Sequence, residues 1–280
     1  VPLTTTGELV TRAHAARTAV AAFNIITLEH VEAVIAGAES AGAPVVLQVS
    51  ENAVAYRRGQ LLPLARAAAV AADGAAVPVA LHLDHVQSDP LLSRAADAGF
   101  SSVMYDASRL PYEENLTATR AAVELAHARG LWIEAELGEI GGKGAHAPGA
   151  RTDPVEARAF VTESGVDALA VAIGSVHAMT TRTAALDHGL LDRLRTALDV
   201  PLVLHGSSGV PDRELTAAVR GGIAKVNIGT ALNQAMTGAI REHLDAHPDA
   251  VDARTYLSAG REAMARTVER IVTGVGLTLA

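Results

Sequence analysis

Val79-Ala80-Leu81-His82-Leu83-Asp84-His85 is an apolar run that ends in an aspartate and a histidine. A run of this kind must be covered on both faces, as in a strand of a parallel sheet wrapped by helices. Two later runs end the same way: Ala168-Leu169-Ala170-Val171-Ala172-Ile173-Gly174-Ser175-Val176-His177 and Pro201-Leu202-Val203-Leu204-His205. An imidazole at a strand end is held rigidly and points at whatever lies above the sheet. Three of them, distant in sequence and equivalent in position, match a catalytic zinc site with three protein ligands and one open position.

Working outward, strand-like and helix-like segments alternate along the whole chain. Strands are predicted near 19–25, 44–50, 78–84, 101–105, 131–137, 167–174, 200–205 and 223–228. Between them lie Ala-rich stretches of helical spacing such as Glu29–Ser40, Leu61–Ala72, Glu113–Ala128 and Pro154–Glu163. Thr152-Asp153-Pro154 sets an N-cap before a first-turn proline, and Pro211-Asp212 opens another helix. Gly42, Gly99, Gly130, Gly165 and Gly222 stand where helices should stop. Eight βα units predict an α/β fold, a (β/α)8 TIM barrel forming one domain over 1–280. The long stretches Thr230–His243 and Arg254–Ile271 exceed what closure needs and are read as extended C-terminal helices.

Composition narrows the function. The 280 residues carry a formal net charge of −8, and the two lysines, Lys143 and Lys225, are isolated. Nucleic acid is excluded as an expected partner, because phosphate neutralisation needs clustered cations. With no cysteine, a metal site must use histidines and carboxylates. The start of the sequence shows no basic and apolar signal pattern. No run approaches the roughly 20 apolar residues of a membrane span. A soluble, cytoplasmic protein without membrane contact is expected.

Barrel chemistry sits at the C-terminal ends of the strands. Those ends read Asn24, Ser50, Asp84 with His85, Asp106, Glu136, His177, His205 and Asn227. His85, His177 and His205 are the candidate zinc ligands. Asp84, beside a ligand, is placed to exchange a proton with a substrate hydroxyl. Asp106 and Glu136 converge from adjacent strands and are candidate ligands for an alternate or second cation position, or hydrogen-bond acceptors. After the seventh strand comes Gly206-Ser207-Ser208-Gly209, and after the eighth Gly229-Thr230. Barrels often hold phosphate on these two loops, so Gly206, Ser208, Asn227 and Thr230 join Asn24 and Ser50 as candidate substrate-binding residues.

In these residues the chain resembles the class II, zinc-dependent ketose-bisphosphate aldolases, the fructose- and tagatose-bisphosphate aldolase group. The resemblance covers nearly the whole length. It rests on Ala22-Phe23-Asn24-Ile25, Gln48-Val49-Ser50-Glu51, His82-Leu83-Asp84-His85, Ser102-Val103-Met104-Tyr105-Asp106-Ala107-Ser108, Glu134-Ala135-Glu136-Leu137-Gly138, Ala170-Val171-Ala172-Ile173-Gly174, His205-Gly206-Ser207-Ser208-Gly209 and Lys225-Val226-Asn227-Ile228. It implies zinc on His85, His177 and His205, proton exchange at Asp84, and alternate metal carboxylates at Asp106 and Glu136. Triose-phosphate contacts fall on Gly206, Ser208, Asn227 and Thr230. The implied reaction is reversible aldol cleavage of a phosphorylated ketose to dihydroxyacetone phosphate and an aldehyde. The resemblance and the long C-terminal helices together suggest a homodimer or homotetramer.

This chain also departs from the family. Where the family carries an acidic pair after Gly141-Gly142, Lys143-Gly144-Ala145-His146 stands instead. His146, with an intrinsic pKa near 6.5, is the candidate replacement for the glutamate that shuttles the triose carbon-bound proton. Ser207, Gly229 and Ser258 replace the family's usual glycine, aspartate and basic residue. Rival readings are a Schiff-base aldolase on Lys225, a metal-dependent hydrolase on the same barrel, and a zinc-retaining sugar-phosphate-binding protein without turnover.

Overall fold

A computed structural model of the chain describes residues 3–137, 151–176 and 179–274. Eight parallel strands close in sequence order, each paired with the next and the eighth with the first. They are β1 (Val20–Asn24), β2 (Val45–Ser50), β3 (Val79–Val86), β4 (Ser102–Tyr105), β5 (Trp132–Glu136), β6 (Ala168–Ala170), β7 (Leu202–Leu204) and β8 (Ile223–Ile228). The expected (β/α)8 barrel is the fold found.

Helices α1 (Thr6–Ala16), α2 (Leu28–Ser40), α3 (Glu51–Tyr56), α4 (Leu62–Asp73), α5 (Asp89–Leu92), α6 (Tyr112–Ala128), α7 (Pro154–Ser164), α8 (His188–Ala197), α9 (Asp212–Gly221), α10 (Thr230–Ala246) and α11 (Ala253–Gly274) accompany the strands. Local chemistry explains their ends. The Asp153 side chain accepts the Val155 and Glu156 amides at 2.8 and 3.0 Å, with Pro154 in the first turn of α7. The five glycines expected to stop helices all have positive φ, from 61° at Gly42 to 120° at Gly222. α10 and α11 pack together, and α11 lies along α2.

Two features differ from expectation. β6 was expected to span 167–174 but its ladder ends at Ala170. Val171 still donates to the Val203 carbonyl; Ala172 then exchanges both backbone groups with Thr152, through its hydroxyl at 2.8 Å and its amide at 3.0 Å. A loop has therefore taken the bonds that a neighbouring strand would use. The second is α1, unanticipated, which packs against β1, β3 and β8 ahead of the barrel. The Thr6 amide donates to the Ser101 hydroxyl, and the Thr4 amide to the Val79 carbonyl. No helix among the described residues is long and apolar enough to cross a membrane.

Candidate active site

Adjacent residues on a strand point to opposite faces, yet Asp84 and His85 both line one cavity of about 200 Å³ above the barrel. A backbone irregularity resolves the conflict. His85 has a left-handed φ of 50°, and the β3–β4 register shifts between Leu83 and Val86. Such a bulge re-aims one side chain. A non-glycine residue in this conformation costs on the order of 1–3 kcal/mol and persists only where its surroundings impose it. Here Glu51 accepts the Gln87 and Ser88 amides at 2.7 and 3.3 Å, pinning the chain just beyond the bulge.

The same cavity brings together Asn24, Ser50, Gly206, Ser208, Asn227 and Thr230, all six candidate substrate contacts. Ile26, Ser207, Gly229 and Asn233 also line it and had not been singled out as contacts. Asn24 donates to one Asp84 oxygen at 2.8 Å, and Gln48 donates to Asn24 at 3.4 Å. The other Asp84 oxygen and the Asn227 amide oxygen are buried without a hydrogen-bond partner among the described residues. Burial would raise the Asp84 pKa, but His85, His205, His82 and Lys225 outweigh it and hold this carboxyl below its ordinary range. Asp84 is therefore a carboxylate at neutral pH.

On the opposite wall the N-terminus of α10 meets the loop after β7. The Ser208 hydroxyl accepts the Ala231 amide at 3.1 Å. Gly206 has a φ of 67°, which only glycine adopts readily. A helix N-terminus beside a Gly-Ser loop suits an anion. A larger cleft of about 370 Å³ lies among the C-terminal ends of α1, α8 and α9 and contains none of the strand-end residues.

His85, Glu136 and His205 each present one ligand atom, and these atoms lie within 4.8 Å of one another. The two imidazoles meet edge-on with ring centres 5.0 Å apart. His85 Nδ1 is 2.8 Å from an Asp106 oxygen, and the second Asp106 oxygen accepts the Ser108 hydroxyl at 2.6 Å. Burial pushes Asp106 up, but the His85 and Ser108 hydrogen bonds prevail and hold it below the usual carboxylate range. Asp106 thus contacts His85 and stands outside the three-residue group.

His205 is fully buried, with Nε2 2.7 Å from Glu134 and Nδ1 3.7 Å from Glu136. Glu134 also accepts from Lys225 Nζ at 2.8 Å. Burial raises the Glu134 pKa, but Lys225 and His205 bring it down to about 2. A carboxylate only accepts, so the His205 proton sits on Nε2 and Nδ1 is left as an acceptor on the side of Glu136. Burial lowers the His205 pKa, which keeps the ring neutral as a metal ligand requires. Two imidazoles and a carboxylate converging in a buried wall are a donor set that suits zinc. The residues present fit the metal.

Glu134 went unremarked as a functional residue, although alternation along β5 sets it on the same face as Glu136. His82 is buried against the Ser102 hydroxyl at 2.7 Å. His146 and His177 lie outside the described residues.

The family model "Fructose-bisphosphate aldolase class-II" matches residues 4–278. A fructose-bisphosphate aldolase of Geobacillus stearothermophilus is 40% identical over 265 residues, covering 93% of this chain and 92% of the relative. One from Staphylococcus aureus (strain N315) is 37% identical over 273 residues, covering 96% of each. Among solved structures, the YdjI aldolase from Escherichia coli K12 superposes with a TM-score of 0.85 at 32% identity, over 99% of this chain and 98% of that one.

Proposed function

The chain belongs to the class II fructose-bisphosphate aldolase family, and from that premise we propose that its cavity cleaves and forms the carbon–carbon bond of a phosphorylated ketose. The products of cleavage would be dihydroxyacetone phosphate and an aldehyde. One observation carries this reading above the others. The His85–Glu136–His205 group and the Asp84 carboxylate share one end of the barrel with a Gly-Ser loop and the N-terminus of a helix.

His85 and His205 would hold zinc, with His177 completing the histidine set on sequence grounds and Glu136, then Asp106, as the nearby carboxylates. Bound there, zinc supplies a Lewis acid for the ketose carbonyl and its developing negative charge. Asp84 takes the hydroxyl proton in cleavage and returns it to the aldehyde oxygen in condensation. Asn24 fixes one Asp84 oxygen, leaving the other to face the substrate. Gly206, Ser208 and Thr230 bind the triose phosphate through the loop and the α10 N-terminus. Asn227 also contacts the triose phosphate, and Ser50 the substrate. His146 exchanges the triose carbon-bound proton in this scheme, an assignment supported by the sequence of its loop. A second or alternate cation position would draw on Asp106 and Glu136.

The Schiff-base rival loses its nucleophile, because Lys225 is fully buried and ion-paired to Glu134 at 2.8 Å. A homodimer or homotetramer is part of the proposal. It is supported by α10, where Leu232 is the buried residue and Leu244 stays 36% exposed. A cytoplasmic location fits the cysteine-free composition.

The test is metal analysis of the purified protein, then aldehyde release from a panel of ketose mono- and bisphosphates. Zinc near one per chain and chelator-sensitive cleavage are expected. Full lyase activity after chelation overturns the metal reading. Tight triose-phosphate binding without cleavage or exchange would identify a binding protein, and phosphate release without aldehyde a hydrolase.

A further inference from the structure

Lys225, Glu134 and His205 have no exposed side-chain surface. They come from β8, β5 and the end of β7, so the chain of contacts crosses the barrel interior. Lys225 Nζ donates to one Glu134 oxygen at 2.8 Å, and His205 Nε2 meets the other at 2.7 Å. Stability does not explain this arrangement. Removing an ammonium and a carboxylate from water is costly, and well-packed apolar residues often replace such a pair without loss. A ligand histidine, by contrast, gains from a carboxylate on its distal nitrogen, which fixes both the tautomer and the ring plane.

We propose that Lys225 is a positioning residue that acts through Glu134 to hold His205 in its Nε2–H tautomer, with Nδ1 aimed at the metal group of His85 and Glu136. The inference rests on the zinc reading above for its consequence, but its geometry concerns the metal-free protein. Lys225 takes up one carboxylate oxygen and so leaves the other oriented toward His205. Without it, Glu134 can rotate away from Nε2, which would let the imidazole proton move to Nδ1, the nitrogen required as an acceptor. Glu134 is thus held as an acceptor from both sides, and His205 takes its orientation from β5, a strand that β7 does not pair with.

Two measurements test this. The first is nitrogen-detected NMR of the metal-free parent, ¹⁵N-labelled at histidine, with His205 assigned by comparison with His205→Gln. A single Nε2–H tautomer is expected, and an Nδ1–H tautomer overturns the proposal whatever the variants do. The second is zinc affinity, by competition with a chromophoric chelator, of Lys225→Met and Glu134→Gln beside the parent. A loss of about 10- to 100-fold is expected for Lys225→Met, the usual scale for the outer partner of a ligand. His205 in that variant should also show a mixture of tautomers. An affinity within about twofold of the parent and an unchanged tautomer would be the effect of a merely structural lysine, and would overturn the inference. If Lys225→Met does not fold, Glu134→Gln and the parent spectrum decide by the same criteria. If the parent binds no zinc, the metal reading fails by itself, and the tautomer measurement still decides the positioning role.

Discussion

Asn24 Nδ2 lies 2.8 Å from one oxygen of Asp84, and that single hydrogen bond orients the carboxylate in the cavity. Its sister oxygen is buried without a partner among the described residues. A polar atom in that state is costly unless something that binds there satisfies it. Asp84→Ala should therefore keep its zinc while turnover falls by roughly 10²–10⁴-fold, the scale of a positioned acid or base. Asn24→Ala should lose less, because the carboxylate remains and only its orientation is freed. Steady-state kinetics with metal analysis of both variants decide the matter. An Asp84→Ala variant changed in KM alone would reduce this residue to a binding role.

His85 and Asp106 invite a second comparison. Asp106 holds His85 Nδ1 and is itself held by Ser108. A ligand and the residue that orients it fail differently. His85→Ala should abolish stoichiometric zinc, since it removes a donor atom from the group. Asp106→Ala should leave zinc bound with affinity weakened by about 10- to 100-fold. Equal and complete loss in both variants would make Asp106 a ligand in its own right.

The barrel was legible because its signals are local. Apolar runs, helix-stopping glycines and the Asp153 cap each act over a few residues, and each has a backbone conformation or hydrogen bond to match. That Asn24, Ser50, Asp84, His85 and Asn227 line one cavity follows from the same kind of signal, given the rule that places chemistry at one end of a barrel. Two things were not legible. Alternation alone sends Asp84 and His85 to opposite faces, and only the left-handed turn at His85 brings both to the cavity. The Lys225–Glu134–His205 contacts join three strands across the interior. No spacing in the sequence encodes a contact between residues 91 positions apart. Short α3 and the pinning role of Glu51 escaped because their consequence lies on β3, not on the helix itself.

Gly37 gives a stability prediction. A Cβ there would stand 2.5 Å from the Ala265 carbonyl oxygen and 2.6 Å from Val268 Cβ, so α2 and α11 approach at backbone distance. Gly37→Ala should destabilise by about 1–3 kcal/mol through overpacking, and should speed hydrogen exchange across residues 253–274. Gly42→Ala is the control. Its φ is +61° but nothing lies within 4 Å of the added carbon, so it should cost about 1 kcal/mol from backbone strain alone. Its exchange in α11 should be unchanged. Denaturant melts and exchange mass spectrometry separate the two mechanisms, and equal exchange in both variants would reject the close-packing argument.

His30 carries the last prediction, on pH. It is 2% exposed on α2, with Nδ1 3.0 Å from the Thr27 hydroxyl and Nε2 3.2 Å from the Asn233 amide oxygen on α10. Burial lowers its pKa, against the opposing pull of the Asn233 hydrogen bond and Glu29. The folded protein therefore keeps this ring neutral at a pH where the unfolded chain, with a pKa near 6.5, begins to bind a proton. The unfolded state then holds more protons, so stability rises with pH through this range and is lost as pH falls below about 6.5. His30→Gln removes the titration while retaining a group that can reach Asn233. The stability difference between parent and variant should shift against the parent on going from about pH 7.5 to about pH 5.5. The ceiling on that change is about 1.4 kcal/mol per pH unit, the value for one proton. Carboxylates remote from residue 30 cancel in the difference, whereas Glu29, coupled to His30, contributes to it. Urea unfolding at three pH values supplies the measurement, and a difference that does not change with pH would mean that His30 does not control this slope.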